Sequence, residues 1–413
     1  MSYLKKTVIG VSWVSGFRVS SRVITFFRII VLARILSPSQ FGLFGIATLV
    51  LAFLEILTET GINVFLVQQD DEIDHYIDNA WLISILRGTV IFFAILLLSP
   101  LIAMFFNSPH VVSLLQLISL VPLIRGFINP SIVKYQKNFH FQKEFYYRLV
   151  IFLFDSFVAV TLAVLTKDAS SFVWGLVAGA ILEVFLSFIF LHPRPHFTTN
   201  FTHVKRIIHS GKWVTLFGVF NFIAQKGDNI MVGRIMGTTS LGIYEMGYNL
   251  STLPISEVSD VVNKVVFPIY VKIRNDYQRL RIAFFKIMLI VSSVVILFST
   301  TIFLLPKEVI ILFLGEKWLD VFPILKILAI YGLLRGILGT TASLFLSLKK
   351  QRYVAIMTFV RVITLMVLVY PFTMQWGLHG TSMSALLSVV AEVPIALYYI
   401  DKIFLKTNRH EKK

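Results

Sequence analysis

Twelve apolar stretches of about 20 residues or more, joined by short connections, occupy this sequence from end to end, and each can cross the roughly 30 Å hydrocarbon layer of a bilayer. Without water to satisfy backbone groups inside a membrane, each stretch must close its hydrogen bonds internally as an α-helix. The expected spans are 8–34, 41–67, 79–106, 111–133, 145–166, 171–191, 213–236, 241–271, 283–305, 321–347, 353–371 and 378–400. Apolar residues make up 56% of the 413 and charged residues only 15%, so no soluble domain fits between the spans. The first span follows Lys5 and Lys6, is too long for a signal-peptide core and precedes no small-residue cleavage site. It reads as a retained helix.

Lysine and arginine near helix ends are held on the cytoplasmic side, which sets the orientation. With both termini inside, the inner segments collect twenty-two basic residues, from Lys5 and Lys6 through Lys134, Lys137, Lys143 and Arg194 to Lys412 and Lys413. The outer loops hold three, Lys167, Lys307 and Lys317. An acidic inner loop with Asp70, Asp71, Glu72, Asp74 and Asp78 is discordant, but acids weigh little in this rule. The net charge of +16 is thus mainly a topology signal, with attraction to anionic membrane lipids, rather than a nucleic-acid footprint.

Residues 10–45 lie over residues 210–245 without a gap, with identities at Trp13/Trp213, Val14/Val214, Phe17/Phe217, Val19/Val219, Ile30/Ile230, Arg34/Arg234, Ile35/Ile235 and Gly42/Gly242. A second echo sets Ile124-Arg125-Gly126 against Leu334-Arg335-Gly336. Six spans return the chain to its starting side, so the halves are parallel repeats about an axis along the membrane normal, as in transporters that rock around a central site. The expected architecture is an all-α polytopic membrane protein of two pseudo-symmetric six-helix lobes, residues 1–192 and 213–413. A basic linker, 193–212, is read as an interfacial helix on anionic lipid. Pro193 and Pro195 forbid a continuous helix across the junction. The histidines at and within it, His192, His196, His203 and His209, do not show the tight i,i+4 pairing on one helix face that a metal site would suggest.

Thirteen basic residues remain within or at the ends of the spans. A charge at the bilayer centre costs at least about 2.5–3.5 kcal/mol, so it faces a partner or a watery cavity. In the first span Ser15, Arg18, Ser21, Arg22, Thr25 and Arg28 share an arc of roughly 140°. Arg87, Arg125 and Arg148 add one cation each to the third, fourth and fifth spans, making six candidate cavity cations in the first half. Arginine suits a diphosphate, because its planar fork binds bidentately and its charge survives desolvation. The competing reading pairs these arginines with Glu55, Glu59, Asp155 and Glu183, with Glu55 and Glu59 neutralising two arginines of the first span. In the second half Arg18, Arg22 and Arg28 become Gly218, Phe222 and Asp228, so the cationic stripe is lost. Asp228 and Glu245, with Glu55, Glu59 and Asp155, are candidates for taking up a proton or sodium ion and coupling a gradient to movement. Gly227, Pro254 and Pro130 are candidate bends.

The segments Arg34-Ile-Leu-Ser-Pro-Ser-Gln-Phe-Gly-Leu-Phe44, Gly61-Ile-Asn-Val-Phe-Leu-Val-Gln68 and Asp228-Asn-Ile-Met-Val-Gly-Arg-Ile-Met-Gly237, leading into Leu241-Gly-Ile-Tyr244, resemble the polysaccharide transporters of the MOP superfamily, nearest the Wzx-type and teichuronic-acid-type exporters. The resemblance covers most of residues 8–350. It implies a flippase for polyprenyl-diphosphate-linked oligosaccharide, a polysaccharide repeat unit of the lipopolysaccharide or exopolysaccharide kind, in the bacterial cytoplasmic membrane. Assembly glycosyltransferases and a polymerase would be its partners. It also implies a cationic first-lobe cavity for the diphosphate. Relatives of this kind often have fourteen helices, against twelve here.

Two other readings compete. A cation-coupled drug exporter of the same superfamily would need a more acidic or apolar cavity than six arginines provide. A membrane glycosyltransferase or polymerase would use Asp70-Asp71-Glu72-Ile-Asp74 to bind metal, but that loop falls inside and the outer loops are short. The chain has no cysteine for thiolate chemistry and no Gly-x-x-x-x-Gly-Lys-Ser/Thr motif for nucleotide-driven pumping, so neither enzyme activity nor a cofactor is expected.

Overall fold

A computed structural model describes residues 3–59, 61–62, 66, 73–138, 140–197 and 204–407, and these are almost wholly helical. The chain divides into two compact units. Unit 1 comprises Met1–Lys226 with Gly237–Gly242, and unit 2 comprises Gly227–Met236 with Ile243–Lys413. Large side chains exposed on the helices are apolar, such as Leu97 at 75% and Leu165 at 73%, which fits a surface solvated by lipid rather than water.

In unit 1, α1 (Tyr3–Ile35) and α2 (Pro38–Leu57) meet at a corner built by Ser37 and Pro38. Pro38 opens α2 where no N–H is needed, and Gln40 Oε1 accepts from the Ser37 N–H at 2.9 Å to complete a capping box. Then follow α3 (Asp74–Phe105), α4 (Val111–Ile118), α5 (Leu120–Arg125), α6 (Val133–Lys137), α7 (Phe141–Thr166) and α8 (Ser170–Phe190). Small residues let these helices approach to backbone contact. A Cβ on Gly88 of α3 would collide with the Pro122 carbonyl. One on Gly126 would lie 2.9 Å from the Ser84 carbonyl.

The structure adjusts four expectations. The second span ends as a helix at Leu57, about ten residues early, because Thr58 and Gly61 turn the chain. The fourth span is bent by 68° between Val111–Arg125 and Pro130–Lys137. Pro130 starts the second piece, and Asn129 caps it by accepting from the Ser131 N–H at 2.9 Å. The same Asn129 side chain donates to the carbonyls of Leu191, 3.3 Å, and Pro193, 3.0 Å, so the linker's start is tied to the bend. The last adjustments concern the seventh span. Its helix begins at residue 204, within the expected linker, and the chain of unit 1 follows it to Lys226.

The helices here called α9 (204–236) and α10 (238–273) are separated at Gly237, whose φ of 79° is left-handed and open to glycine. Gly237 is the repeat counterpart of Ser37, so the two halves break at one register. Unit 2 continues with α11 (Tyr277–Leu304), α12 (Pro306–Phe313), α13 (Phe322–Ser347), α14 (351–376) and α15 (378–407). Gly377, φ 58°, separates the last two. Tyr270, Phe284, Phe345, Leu365, Val389 and Phe404 bind these helices into one apolar core.

Candidate functional site

Unit 1 surrounds its arginines with carboxylates from neighbouring helices. Arg28, two turns before the end of α1, reaches Asp155 of α7, with Nη1 3.1 Å from Oδ1 and 5.9 Å separating its guanidinium carbon from the Phe152 ring. Both side chains are nearly buried, at 13% and 11% exposure. Space for Asp155 comes from α8, where a Cβ on Gly175 would stand 2.8 Å from the Asp155 carbonyl and one on Gly179 3.0 Å from the Asp155 Cβ. This Gly-x-x-x-Gly spacing presses α8 onto α7 at the level of the ion pair.

Among the described residues, Glu55 and Glu59 pair with arginines of α3 and α5. Arg87 of α3 takes the end of α2, donating from Nη2 to the Glu55 carbonyl at 2.6 Å and to Glu59 Oε2 at 3.3 Å, and from Nε to Thr58 Oγ1 at 3.2 Å. Arg125 Nη1 stands 4.0 Å from Glu55 Oε1, an ion pair too long for a hydrogen bond. Arg148 Nε is bonded to Glu144 Oε1 at 2.9 Å, one turn earlier on α7. Of the six expected cavity cations, Arg28 is enclosed, while Arg125 and Arg148 keep about two-fifths of their side chains exposed, 41% and 40%. Arg22 is exposed on α1, and the Arg18 side chain lies outside the described ones.

Of the acidic loop, Asp70, Asp71 and Glu72 lie outside the described residues. Asp74 pairs with Lys134 at 2.6 Å, and Asp78 Oδ1 accepts from the His196 N–H at 2.8 Å. Asp74 thus neutralises a neighbouring base locally. Among the described residues no three His, Asp or Glu side chains gather as a metal site.

Unit 2 buries a polar row. Asp228, 4% exposed, accepts from Tyr244 Oη at 2.8 Å, and Asn229 Nδ2 donates to Glu245 Oε1 at 2.6 Å. Tyr248 and Tyr331 share a hydroxyl hydrogen bond of 3.1 Å. One turn beyond Tyr331, Arg335 of α13 lies 4.0 Å from Glu392 of α15, and Arg361 of α14 lies 3.7 Å from the same Oε2. Sequence reading singled out Asp228 and Glu245 but not the tyrosines, Arg361 or Glu392. One signal was present, since Glu392 is a lone acid deep within its span, as Arg361 is a lone base in its own.

The comparisons with known proteins agree with this architecture. Residues 31–323 match the family described as polysaccharide biosynthesis protein. The chain is 26% identical over 406 residues to a membrane protein in the cps region of Klebsiella pneumoniae, covering 97% of this chain and 84% of that protein. It is 25% identical over 350 residues to the lipopolysaccharide biosynthesis protein WzxC of Escherichia coli, 84% and 71% of the two chains. The teichuronic acid biosynthesis protein TuaB of Bacillus subtilis is 25% identical over 358 residues, 84% and 72%. The fold of the present chain is similar to that of the lipid II flippase MurJ, with TM-score 0.74, 16% identity and coverage of 95% and 89%. A MATE-family multidrug transporter of the MOP superfamily has TM-score 0.71, 15% identity and coverage of 94% and 98%.

Proposed function

The chain belongs to the polysaccharide biosynthesis protein family, and from that premise we propose that it is a flippase carrying polyprenyl-diphosphate-linked oligosaccharide across the bacterial cytoplasmic membrane by alternating access. The observation that carries this is the half-exposed guanidinium of Arg125, at mid-span and only loosely countered by Glu55. A cation so placed in a membrane protein faces a polar ligand or water, because lipid would penalise it. Arg148 is comparably exposed, and Arg18, Arg22, Arg28 and Arg87 complete the cationic set. Arg125 and Arg148 grip the diphosphate directly, while Arg28 and Arg87 are held by Asp155 and Glu59 and set the field around it. The glycan travels in water and the polyprenyl tail stays in lipid, so no bond need be made or broken.

Both termini lie on the cytoplasmic side, where the basic segments meet anionic lipid and where assembly glycosyltransferases supply the substrate. A polymerase acts on the product at the opposite face. The coupling ion, a proton or sodium, is taken up at Asp228 with Glu245. The burial of Asp228 in unit 2 supports this, as an acid held in a membrane interior is most stable when it has a proton or cation of its own. Glu55, Glu59 and Asp155, engaged with arginines, are the secondary candidates. Deleting the gene tests the reading. Lipid-linked oligosaccharide should accumulate in the inner leaflet with drug sensitivity unchanged, whereas drug hypersensitivity without accumulation would favour a drug exporter.

A further inference from the structure

The echo Ile124-Arg125-Gly126 and Leu334-Arg335-Gly336 persists in three dimensions. A Cβ on Gly126 would lie 3.1 Å from the Ile85 Cα, and one on Gly336 would lie 3.1 Å from Val295 methyls. Ile85 and Val295 are themselves 210 residues apart, like the glycines. In each half the glycine drives its helix against the third helix of that half, leaving the preceding arginine half exposed. Arg125 is 41% exposed and Arg335 43%, and each stands 4.0 Å from a single carboxylate, Glu55 or Glu392.

The site in unit 2 has two cations. Glu392 is 5% exposed and lies between Arg335 and Arg361, yet its Oε2 is buried without a hydrogen bond, because neither 4.0 nor 3.7 Å reaches bonding range. A purely structural pair in this setting closes up, as Arg28 and Asp155 do at 3.1 Å, since unsatisfied buried charge is costly. The group of three carries one net positive charge, and the Arg335 side chain is accessible, at 43% exposure.

We infer that Arg335 and Arg361 form an oxyanion subsite in unit 2, with Glu392 as the resident counter-ion that occupies them loosely when no ligand is bound. The ligand is a phosphate or carboxylate oxygen set of the transported molecule, from its diphosphate or from an acidic sugar. The inference rests on the proposed flippase reading and adds to it a place within unit 2 for an oxyanion of the substrate. Bidentate binding by Arg335 supplies the hydrogen bonds that Glu392 fails to make.

Phenylglyoxal modification of the full chain in nanodiscs, read peptide by peptide, tests this. Inorganic diphosphate should slow modification of Arg335 by about fivefold or more if the diphosphate is the source, and methyl glucuronide should do so if the sugar carboxylate is. In Glu392→Gln, protection should need about tenfold less ligand, because the competing carboxylate is gone. Should that variant fail to fold, the wild-type protection decides alone. An Arg335 that reacts at one rate with and without both oxyanions, or that never reacts, overturns the subsite. Protection at Arg125 without protection at Arg335 overturns the subsite but leaves the flippase reading standing, whereas failure at both arginines counts against the two together.

Discussion

Gly42 and Gly242, matched positions of the repeat, pack against each other reciprocally within unit 1. A Cβ on Gly42 would collide with the Thr238 carbonyl, and one on Gly242 would collide with the Pro38 carbonyl and stand 3.0 Å from the Gly42 nitrogen. Pro38 and Thr238 are themselves counterparts, and Ser39 Oγ lies 3.3 Å from Thr238 Oγ1 across the contact.

Because both obstacles are backbone, this crossing has no flexible side chain that can yield. Gly42→Ala and Gly242→Ala should each destabilise the protein by about 1–3 kcal/mol, and Val at either position by more. Melting of the detergent-solubilised protein checks this. Unchanged melting in both alanine variants would mean that the helices are not in contact here.

The buried pair Arg28 and Asp155 has a different signature. Losing either partner leaves an uncompensated charge, so Arg28→Gln or Asp155→Asn alone should cost about 3–5 kcal/mol, and the double variant should recover much of it. If Arg28 also contributes to the field at the diphosphate, the double variant melts near the wild type but transports more slowly. Full transport would confine Arg28 to a structural part.

Arg125 offers the cleanest separation of stability from activity. Its pair with Glu55 is long and 41% and 35% exposed, which limits its contribution to stability to about 0–1 kcal/mol. Arg125→Gln should therefore fold normally yet transport about tenfold or more slowly, since a charge-assisted hydrogen bond to the substrate is worth about 1.5–3 kcal/mol. Transport at the wild-type rate would remove Arg125 from the substrate's path.

Asp228→Asn keeps an acceptor for Tyr244 Oη but no longer takes up a proton or cation. Transport driven by an imposed proton or sodium gradient should fall by about tenfold or more, towards the rate without a gradient. Equal stimulation in variant and wild type would place the coupling elsewhere.

Helix positions were legible in the sequence because length and apolarity alone decide them in a bilayer. Pro130 marked the bend in the fourth span, whereas Gly42 and Gly242 were legible only as matched repeat positions and not as a crossing. Charge pairing was not legible. Glu55 and Glu59 lie one turn apart, but the rotation of α2 against α3 and α5 decides that they meet Arg87 and Arg125 rather than the first helix. The hydrogen bond from Tyr244 to Asp228 crosses the break at Gly237 and so follows no helical spacing. Arg335, Arg361 and Glu392 come from three helices, and only packing brings them together.

The central claim is translocation of a lipid-linked oligosaccharide, and vesicles containing the purified full chain test it most directly. With a fluorescent polyprenyl-diphosphate-linked oligosaccharide in both leaflets, a membrane-impermeant quencher added outside should reach nearly all of the label as inner-leaflet lipid is flipped. In protein-free vesicles about half should stay protected, because a charged, sugar-bearing head group scarcely crosses an apolar layer unaided. Protection at the protein-free level, from a chain shown to be folded and inserted, would contradict the claim.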